Sequence, residues 1–218
     1  MRRSSFSTAD QIGIVVGLDA EARLARRLSR NVRCSGGRPE VAYRQAQALL
    51  AAGARSLVSF GIAGGLADGL PAGTLLVAAG IVCDEAVYPA ASDCALLIGA
   101  QVAMIYGGVT IAATIAQKKE IAKQTGALAL DLESGPVARV AAAADVPFIA
   151  IRAIADPAWK ALPPAALLEL GIDGRPQLAA VFRSVALNPL QIPSLIATAR
   201  ETSAALGALR KACRLLAR

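Results

Sequence analysis

The chain has no histidine among its 218 residues, and this absence excludes several kinds of active site. Without an imidazole there is no histidine general base and no catalytic cysteine–histidine pair, and most zinc sites are ruled out as well. We therefore expect a protein that holds neither a metal ion nor an organic cofactor.

Aromatic residues are also scarce, at 4% of the sequence, while the formal net charge is +7. Few rings are available to stack on bases and no nucleic-acid-binding motif is present, so we expect no nucleic-acid partner. The positive charge instead suits an anionic membrane surface or a phosphate-bearing substrate. Basic clusters lie near the two ends of the chain: Arg23, Arg26, Arg27 and Arg30, then Arg210, Lys211, Arg214 and Arg218.

The four cysteines are scattered along the chain, and none lies close to another in sequence. Scattered thiols are typical of a reducing compartment, and no secretory apolar segment directly follows the basic N-terminus. The sequence therefore predicts a cytoplasmic protein, with the inner face of the membrane as a further place of action.

Residues 94–117 carry no charge and are numerous enough to span a bilayer as a helix. The stretch contains several glycines, however, and its second half, residues 109–115, is rich in β-branched side chains. A short helix, a glycine turn and a buried strand over 109–115 explain this pattern better than a membrane span.

Apolar residues make up 55% of the sequence, and most of them are aliphatic. Such a composition is typical of a sheet that is buried on both faces between helices, and the length fits one large domain. We predict a single α/β domain over residues 1–218, built as a three-layer α/β/α sandwich with a mostly parallel, mixed central sheet. Residues 1–10 are predicted to be disordered, and residues 165–218 to form a helical tail.

Glu133 and Asp156 each stand at the end of an apolar run, and the segment between them has helical periodicity. Parallel strands joined by one crossover bring their carboxyl ends to the same edge of a sheet. We therefore expect the two carboxylates to be neighbours in one pocket. Taken alone, Asp156 could also cap a helix or turn before Pro157, and Glu133 could be an exposed glutamate in the first turn of a helix.

Four motifs occur in order along the chain: a strand with Gly17 and Glu21 at residues 12–21, Gly61-Ile62-Ala63-Gly64-Gly65, Asp131-Leu132-Glu133, and Arg152-Ala153-Ile154-Ala155-Asp156. Together they resemble the family of purine nucleoside phosphorylases and methylthioadenosine/S-adenosylhomocysteine nucleosidases. The resemblance implies a nucleoside phosphorylase-like fold and cleavage of the bond between a purine base and ribose.

The resemblance implies catalytic roles for Asp156 and Glu21. Asp156 matches the aspartate that gives a proton to the purine ring, a task that requires burial to raise its pKa. Glu21 matches a glutamate that lines the site and helps to activate water. An alignment on Gly17 without a gap would place that position at Ala22, which leaves Glu21 as a solvated helix-start residue.

The resemblance also implies a ribose site. Glu133 matches the glutamate that accepts hydrogen bonds from the ribose hydroxyls, and Leu132 takes the position beneath the sugar. A glycine-rich segment would let the backbone approach ribose or phosphate closely, although it could also be a plain turn. Its substrate-binding members are Gly61, Ala63, Gly64 and Gly65.

The loop Ser35-Gly36-Gly37-Arg38 occupies the place of a Ser-Gly-small-Gly-basic loop in the family. Ser35, Gly36 and Arg38 would then hold inorganic phosphate as a co-substrate, with Arg38 using paired N–H donors. Arg38 could equally be a solvated loop residue. The sequence leaves phosphorolysis and hydrolysis open, because both use the same two carboxylates.

Departures from the family affect the substrate. The region before Gln117 lacks the aromatic segment that stacks the purine, which predicts a more aliphatic site, open on one side to a large apolar group. The C-terminal part, with Asp156-Pro-Ala-Trp159 and Asp173-Gly-Arg-Pro176, resembles the hopanoid-associated phosphorylases. This bacterial subgroup is proposed to act on adenosylhopane, a lipid-linked nucleoside.

Three hypotheses follow. The chain releases adenine from adenosylhopane, or it acts on a soluble methylthioadenosine-type nucleoside, or it binds a nucleoside without turnover. The family pattern also implies a homodimer or larger oligomer, with residues 80–89 as a candidate interface. The last helix, from residue 194 to about 216, either covers the sheet or contacts a membrane or a partner subunit.

Overall fold

The computed structural model describes residues 9–167, 174–175 and 177–217. The strands are β1 (Ile12–Val16), β2 (Asn31–Cys34), β3 (Ser56–Gly65), β4 (Leu75–Cys83), β5 (Ala86–Pro89), β6 (Gln101–Gly107), β7 (Ala129–Asp131) and β8 (Phe148–Asp156). The helices are α1 (Asp19–Ala25), α2 (Pro39–Ala51), α3 (Ala95–Ile98), α4 (Ile115–Thr125), α5 (Ser134–Ala143), α6 (Leu178–Leu187) and α7 (Ile192–Leu216).

Five strands of the mixed sheet close into a ring. β3 runs parallel to β8, β8 antiparallel to β4, β4 parallel to β6, β6 parallel to β7, and β7 antiparallel to β3. Outside the ring, β1 and β2 extend the sheet from β3, and β5 pairs with β4. The predicted mixed α/β sheet is confirmed.

Two apolar cores lie on opposite faces of the sheet, because successive strand residues point to opposite sides. On β1, Val15 packs into the core beneath α2 and α5, whereas Ile14 and Val16 pack into the core beneath α1, α3 and α7. Leu209 and Cys213 of α7 are fully buried in this second core. The helical layers and the C-terminal helix are therefore as predicted, and the inner side of α7 covers the sheet.

The prediction that two neighbouring parallel strands, joined by one crossover, place Glu133 beside Asp156 is wrong in its strand pairing. β7 is not paired with β8, since the end of β3 lies between them. Gly64 of β3 is in register with Leu130 on one side and with Asp156 on the other. The two carboxylates thus reach one cavity from opposite sides of the end of β3, and not from the shared edge of two parallel neighbours.

Two further local predictions are corrected. The segment Gly61–Gly65 is not a turn but the second half of β3. Residues 109–115 do not form a strand, because the strand of this region is β6, which ends at Gly107. A β-carbon on Gly107 would lie 2.4 Å from the backbone nitrogen of Gly135, so β6 and the start of α5 approach too closely for any other residue. Residues 109–113 instead form a wall of the cavity described below.

In the described part of the chain, no helix is both long and apolar enough to cross a membrane. The uncharged stretch 94–117 divides into α3, β6 and a loop that leads to α4. The predicted disorder over 1–10 falls mainly on residues 1–8, which lie outside the described residues, as do Asp173 and Pro176. Ala9–Gln11 form a short 3-10 turn before β1.

Candidate active site

A cavity of about 720 Å³ opens where β1, β3, β7 and β8 end. Most of the side chains and glycines predicted for the site line it: Glu21, Gly36, Arg38, Ala63, Gly64, Gly65, Leu132, Glu133 and Asp156. Gly61 and Ser35 do not line it but lie directly behind two of these carboxylates. The sequence-predicted residues are therefore brought together at one place.

Glu21 is held by the backbone, and it is only 2% exposed. Its Oε2 accepts hydrogen bonds from the amides of Gly17 (2.9 Å) and Leu18 (2.8 Å), and its Oε1 accepts one from Ile62 (2.7 Å). Burial raises the pKa of this carboxyl group, against the effect of the three amides. The neighbouring Ala22 is buried in the core, so Glu21 is the residue that faces the cavity.

The close approach of Glu21 explains the glycine in the middle of β3. A β-carbon on Gly61 would lie 2.6 Å from Oε1 of Glu21, which is shorter than any ordinary contact. The missing side chain at Gly61 therefore gives the Glu21 carboxylate room beside the extended strand.

Glu133 is buried at the start of α5, which excludes the reading of an exposed helix-start glutamate. The hydroxyl of Ser35 donates a hydrogen bond to its Oε1 at 3.2 Å. Burial, and then the negative charge of Asp131, raise the pKa of Glu133 to about 7, while Arg152 acts in the opposite direction. Glu133 can therefore change its charge near neutral pH.

Asp131 and Arg152 form a buried ion pair beneath Glu133. Nε of Arg152 lies 2.9 Å from Oδ2 of Asp131, and both side chains are about 1% exposed. Oδ1 of Asp131 also accepts hydrogen bonds from the amides of Glu133 (2.8 Å) and Ser134 (2.6 Å). The pair thus links β8 to the first turn of α5 and fixes the backbone that carries Glu133.

Asp156 ends β8, and its carboxylate forms an ion pair with Lys118 rather than capping a helix. Nζ of Lys118 lies 2.7 Å from Oδ2 of Asp156, and the lysine side chain is 1% exposed. Burial raises the pKa of Asp156, whereas the lysine opposes that shift. A carboxyl group with these neighbours can exchange a proton with a ligand in the cavity.

The loop before α2 forms another wall. Gly36, Gly37 and Arg38 line the cavity, and Arg38 stands at the N-terminus of α2, where backbone N–H groups favour anions. Among the residues that the structure describes, the buried Nε of Arg38 has no hydrogen-bond partner. This side chain is half-buried, not a fully solvated loop arginine.

Three charged residues of the site were missed as functional groups by sequence reasoning: Lys118, Asp131 and Arg152. Arg152 is a charge inside an otherwise apolar strand, a pattern that indicates a buried partner. Lys118 lies three and four positions before Ile121 and Ala122, which is the inner face of α4. Both signals are present in the sequence, but neither identifies the partner.

The family model of the Phosphorylase superfamily matches residues 94–185. No curated protein matches the chain. The matched residues include Lys118, Glu133 and Asp156, and so cover a large part of the cavity wall.

Solved structures extend the likeness to almost the whole chain. An S-adenosylhomocysteine nucleosidase of Streptococcus pyogenes, in complex with 5-methylthiotubericidin, aligns with a TM-score of 0.64 and 15% identity over 96% of this chain and 98% of its own. Futalosine hydrolase of Helicobacter pylori aligns with a TM-score of 0.64 and 15% identity, over 94% and 97% of the two chains.

A 5′-methylthioadenosine/S-adenosylhomocysteine nucleosidase of Helicobacter pylori aligns with a TM-score of 0.65 and 15% identity, over 96% of this chain and 97% of its own. These matches support the expectation of an enzyme of the nucleoside phosphorylase or nucleosidase kind. The chain therefore has the nucleoside phosphorylase-like α/β fold.

Proposed function

We propose that this protein cleaves the N-glycosidic bond of an adenosine-type nucleoside and releases adenine. The observation that carries the proposal is the presence of Glu21, Glu133 and Asp156 on the walls of one cavity. Its volume of about 720 Å³ lies within the range of small-molecule sites. The likeness to nucleosidases supports the same assignment.

Asp156 serves the leaving base in this proposal. As the glycosidic bond breaks, its electron pair moves onto the purine, and a ring nitrogen takes the proton of the Asp156 carboxyl group. The surrounding wall is aliphatic, with Leu66, Ala112 and Leu162 among its members, so it can pack against a flat base without aromatic stacking.

Glu133 and its neighbours serve the ribose. The carboxylate accepts hydrogen bonds from the sugar hydroxyls, while Glu21, Asp131 and Glu133 share a single buried cation, Arg152. When all three carboxyls are ionised, this cluster carries an excess of negative charge. Such a field favours the positive charge that develops on the ribose ring as the bond breaks.

We propose phosphate as the group that attacks the anomeric carbon. Arg38 lines this wall, its Nε lacks a partner in the described part of the chain, and the backbone amides that follow Pro39 in the first turn of α2 are further donors for an oxyanion. Hydrolysis is the second candidate because Oε1 of Glu21, with one hydrogen bond, retains capacity to accept a proton from water.

We propose adenosylhopane, a lipid-linked nucleoside, as the substrate. Val109, Ile111 and Leu167 line the cavity and yet remain 67%, 45% and 38% exposed, so its rim is aliphatic. An apolar substituent on the ribose would cover this rim, whereas a small soluble nucleoside would leave it in water. Methylthioadenosine is the alternative substrate, supported by the nucleosidase structures.

The outer side of α7 supports contact with the membrane that would hold such a lipid. Ile192 and Ile196 are exposed beside Thr198, which lines the cavity, and Arg200, Arg210 and Arg214 follow on the helix. Exposed aliphatic and basic residues together favour an anionic bilayer surface. Co-sedimentation with anionic and with neutral vesicles tests this contact, and equal absence from both pellets would contradict it.

We propose a homodimer or larger oligomer through residues 80–89. Among the described strands, β5 (Ala86–Pro89) pairs with β4 alone, and Val87 on it is 61% exposed, as expected of a strand edge that a second copy could cover. Light scattering of the purified protein measures its mass, and a monomer at micromolar concentration would contradict this assignment.

The central experiment measures adenine release from adenosylhopane and from methylthioadenosine, each with and without phosphate. We expect turnover of adenosylhopane that depends on phosphate, and its loss by a factor of roughly 100 or more in Asp156→Asn. A folded wild-type protein that binds adenosylhopane or methylthioadenosine without releasing adenine would instead indicate a non-catalytic binding protein.

A further inference from the structure

Lys118 is a buried cation that no sequence motif assigned to the site. Its ammonium group donates to three oxygens: Oδ2 of Asp156 at 2.7 Å, the carbonyl of Pro157 at 2.9 Å and the carbonyl of Lys160 at 2.8 Å. An ammonium has three N–H donors, and here each has an acceptor. The surroundings of Lys118 therefore satisfy a charged ammonium group at this position.

The helix that carries Lys118, α4, is fixed at its N-terminal end. The hydroxyl of Thr114 accepts a hydrogen bond from the amide of Gln117, and the Gln117 side chain accepts one from the amide of Thr114 in return. This capping box anchors the first turn of α4, and the amide of Lys118 donates to the carbonyl of Thr114. The lysine thus reaches Asp156 from a defined backbone position.

Two other charged side chains near Asp156 form an ion pair with each other. Lys160, which follows β8, forms an ion pair with Glu201 of α7. Within the described residues, Lys118 from α4 is the cation in direct contact with the Asp156 carboxylate. Burial has the largest effect on the pKa of Asp156, and among the charged groups around it Lys118 acts most strongly, with Lys160 and Glu201 as more distant neighbours.

We propose that Lys118 is the positioning residue of the proton donor: it orients Asp156 and neutralises the carboxylate that forms when the proton moves to the base. This inference rests on the proposed function. In the step, the glycosidic electron pair goes to the purine, the proton leaves Asp156 for a ring nitrogen, and the new negative charge stays 2.7 Å from the ammonium. Lys118 keeps its own protons throughout.

Lys118 should affect how the rate of the reaction depends on pH. An adjacent cation favours the ionised form of a carboxyl group, so removal of the lysine charge leaves Asp156 protonated to higher pH. The alkaline limb of kcat/KM, which reports loss of the donor proton, then moves upward. A lysine that served only to hold the loop together would change the rate without moving that limb.

The experiment compares Lys118→Gln, Lys118→Arg and the matched control Lys119→Met, whose side chain is exposed on the same helix. We expect Lys118→Gln to lower kcat roughly 10- to 100-fold and to shift the alkaline limb upward by about one pH unit. Lys118→Arg should restore most of the rate and the pH profile, and Lys119→Met should leave both unchanged. An unshifted limb in an active Lys118→Gln variant would overturn the proposal.

A second measurement does not depend on turnover. A ¹³C NMR titration of the Asp156 carboxyl in wild-type protein and in Lys118→Gln should give a higher pKa in the variant. Equal values would refute the pairing. Absence of adenine release from the wild type, with the NMR shift present, would overturn the proposed function while leaving the electrostatic pair intact.

Discussion

Gly17 and Glu133 lie so close together that a β-carbon at position 17 would have to displace the Glu133 carboxylate. A β-carbon built on Gly17 would be 2.6 Å from Oε1 and 3.2 Å from Cδ of Glu133. The end of the first strand and the start of α5 are distant in sequence, yet they meet at this contact, which limits how far the Glu133 carboxylate can move toward β1.

Gly17→Ala is expected to displace Glu133 and to lower kcat/KM for adenine release by at least tenfold. The methyl group cannot share the space with the carboxylate, and an error of 1 Å in a positioned group can cost about 10²-fold in rate. Steady-state kinetics of the purified variant measure the effect.

Gly207→Ala is the matched control for this change. Gly207 lies inside α7, and a β-carbon there meets nothing within 4 Å. Alanine in a helix should raise the free energy of unfolding by about 0.5–1 kcal/mol and leave kcat/KM unchanged. Equal activity of Gly17→Ala and wild type would show that Glu133 tolerates displacement.

The activity of the wild type should fall as the pH drops below about 7. Glu133 has a pKa raised to about 7 and can accept hydrogen bonds from both ribose hydroxyls only as a carboxylate. Protonation below that pH removes acceptor capacity and negative charge, so kcat/KM for the nucleoside should decrease tenfold per pH unit. A profile that stays flat between pH 5 and pH 7 would rule out this role.

Glu133→Gln should make the protein more stable at pH 8 while reducing its activity. The pKa of Glu133 is higher in the folded protein (about 7) than its ordinary value of 4.5, so its stabilising contribution is present below pH 4.5 and is lost as the pH rises through 7. The uncharged glutamine avoids that loss. We expect a gain on the order of 1–3 kcal/mol at pH 8 and little difference at pH 4.5, measured by urea unfolding.

Arg152→Met should destabilise the fold by about 3–5 kcal/mol, because it leaves the buried carboxylate of Asp131 without its cation. Arg139→Met is the control, since Arg139 pairs with Asp84 at the surface and should cost less than about 1 kcal/mol. The midpoints of urea unfolding compare the two. Similar losses in both variants would mean that the buried pair contributes no more than a surface pair.

Arg38→Gln should raise the KM for phosphate by roughly 10- to 100-fold and leave the KM for the nucleoside nearly unchanged. The expectation follows from Arg38, which lines the cavity and whose buried Nε lacks a hydrogen-bond partner within the described ranges. Initial rates at varied phosphate measure both constants. A rate that is independent of phosphate in the wild type would favour water, and with it Glu21, as the source of the attacking group.

Most strands of the sheet and most helices of the two layers that cover it could be predicted from the sequence, because their apolar periodicity is strong. It failed where contacts remote in sequence decide the conformation. Residues 61–65 form a strand because they pair with β8 and β7, and Gly61 itself leaves space for Glu21. Residues 109–113 form a loop after β6, which ends against the start of α5 at Gly107.

The predicted site residues lie together around one cavity, but β3 stands between the strands β7 and β8 that were expected to be neighbours. Their grouping could be inferred from motif order and strand ends, whereas the partners of Lys118 and Arg152 required the tertiary structure. A buried charge signals that a partner exists, but only the packing of strands and helices decides which carboxylate it meets.

The closed ring of β3, β8, β4, β6 and β7 has a consequence for how long the site keeps its shape. Every strand of the ring has a neighbour on both sides, so the amides of β3 that donate to neighbouring strands can exchange with solvent deuterium only when the ring itself opens. The part of β3 that lines the cavity is therefore expected to keep its place until the fold as a whole opens, and local fraying at the surface does not reach it.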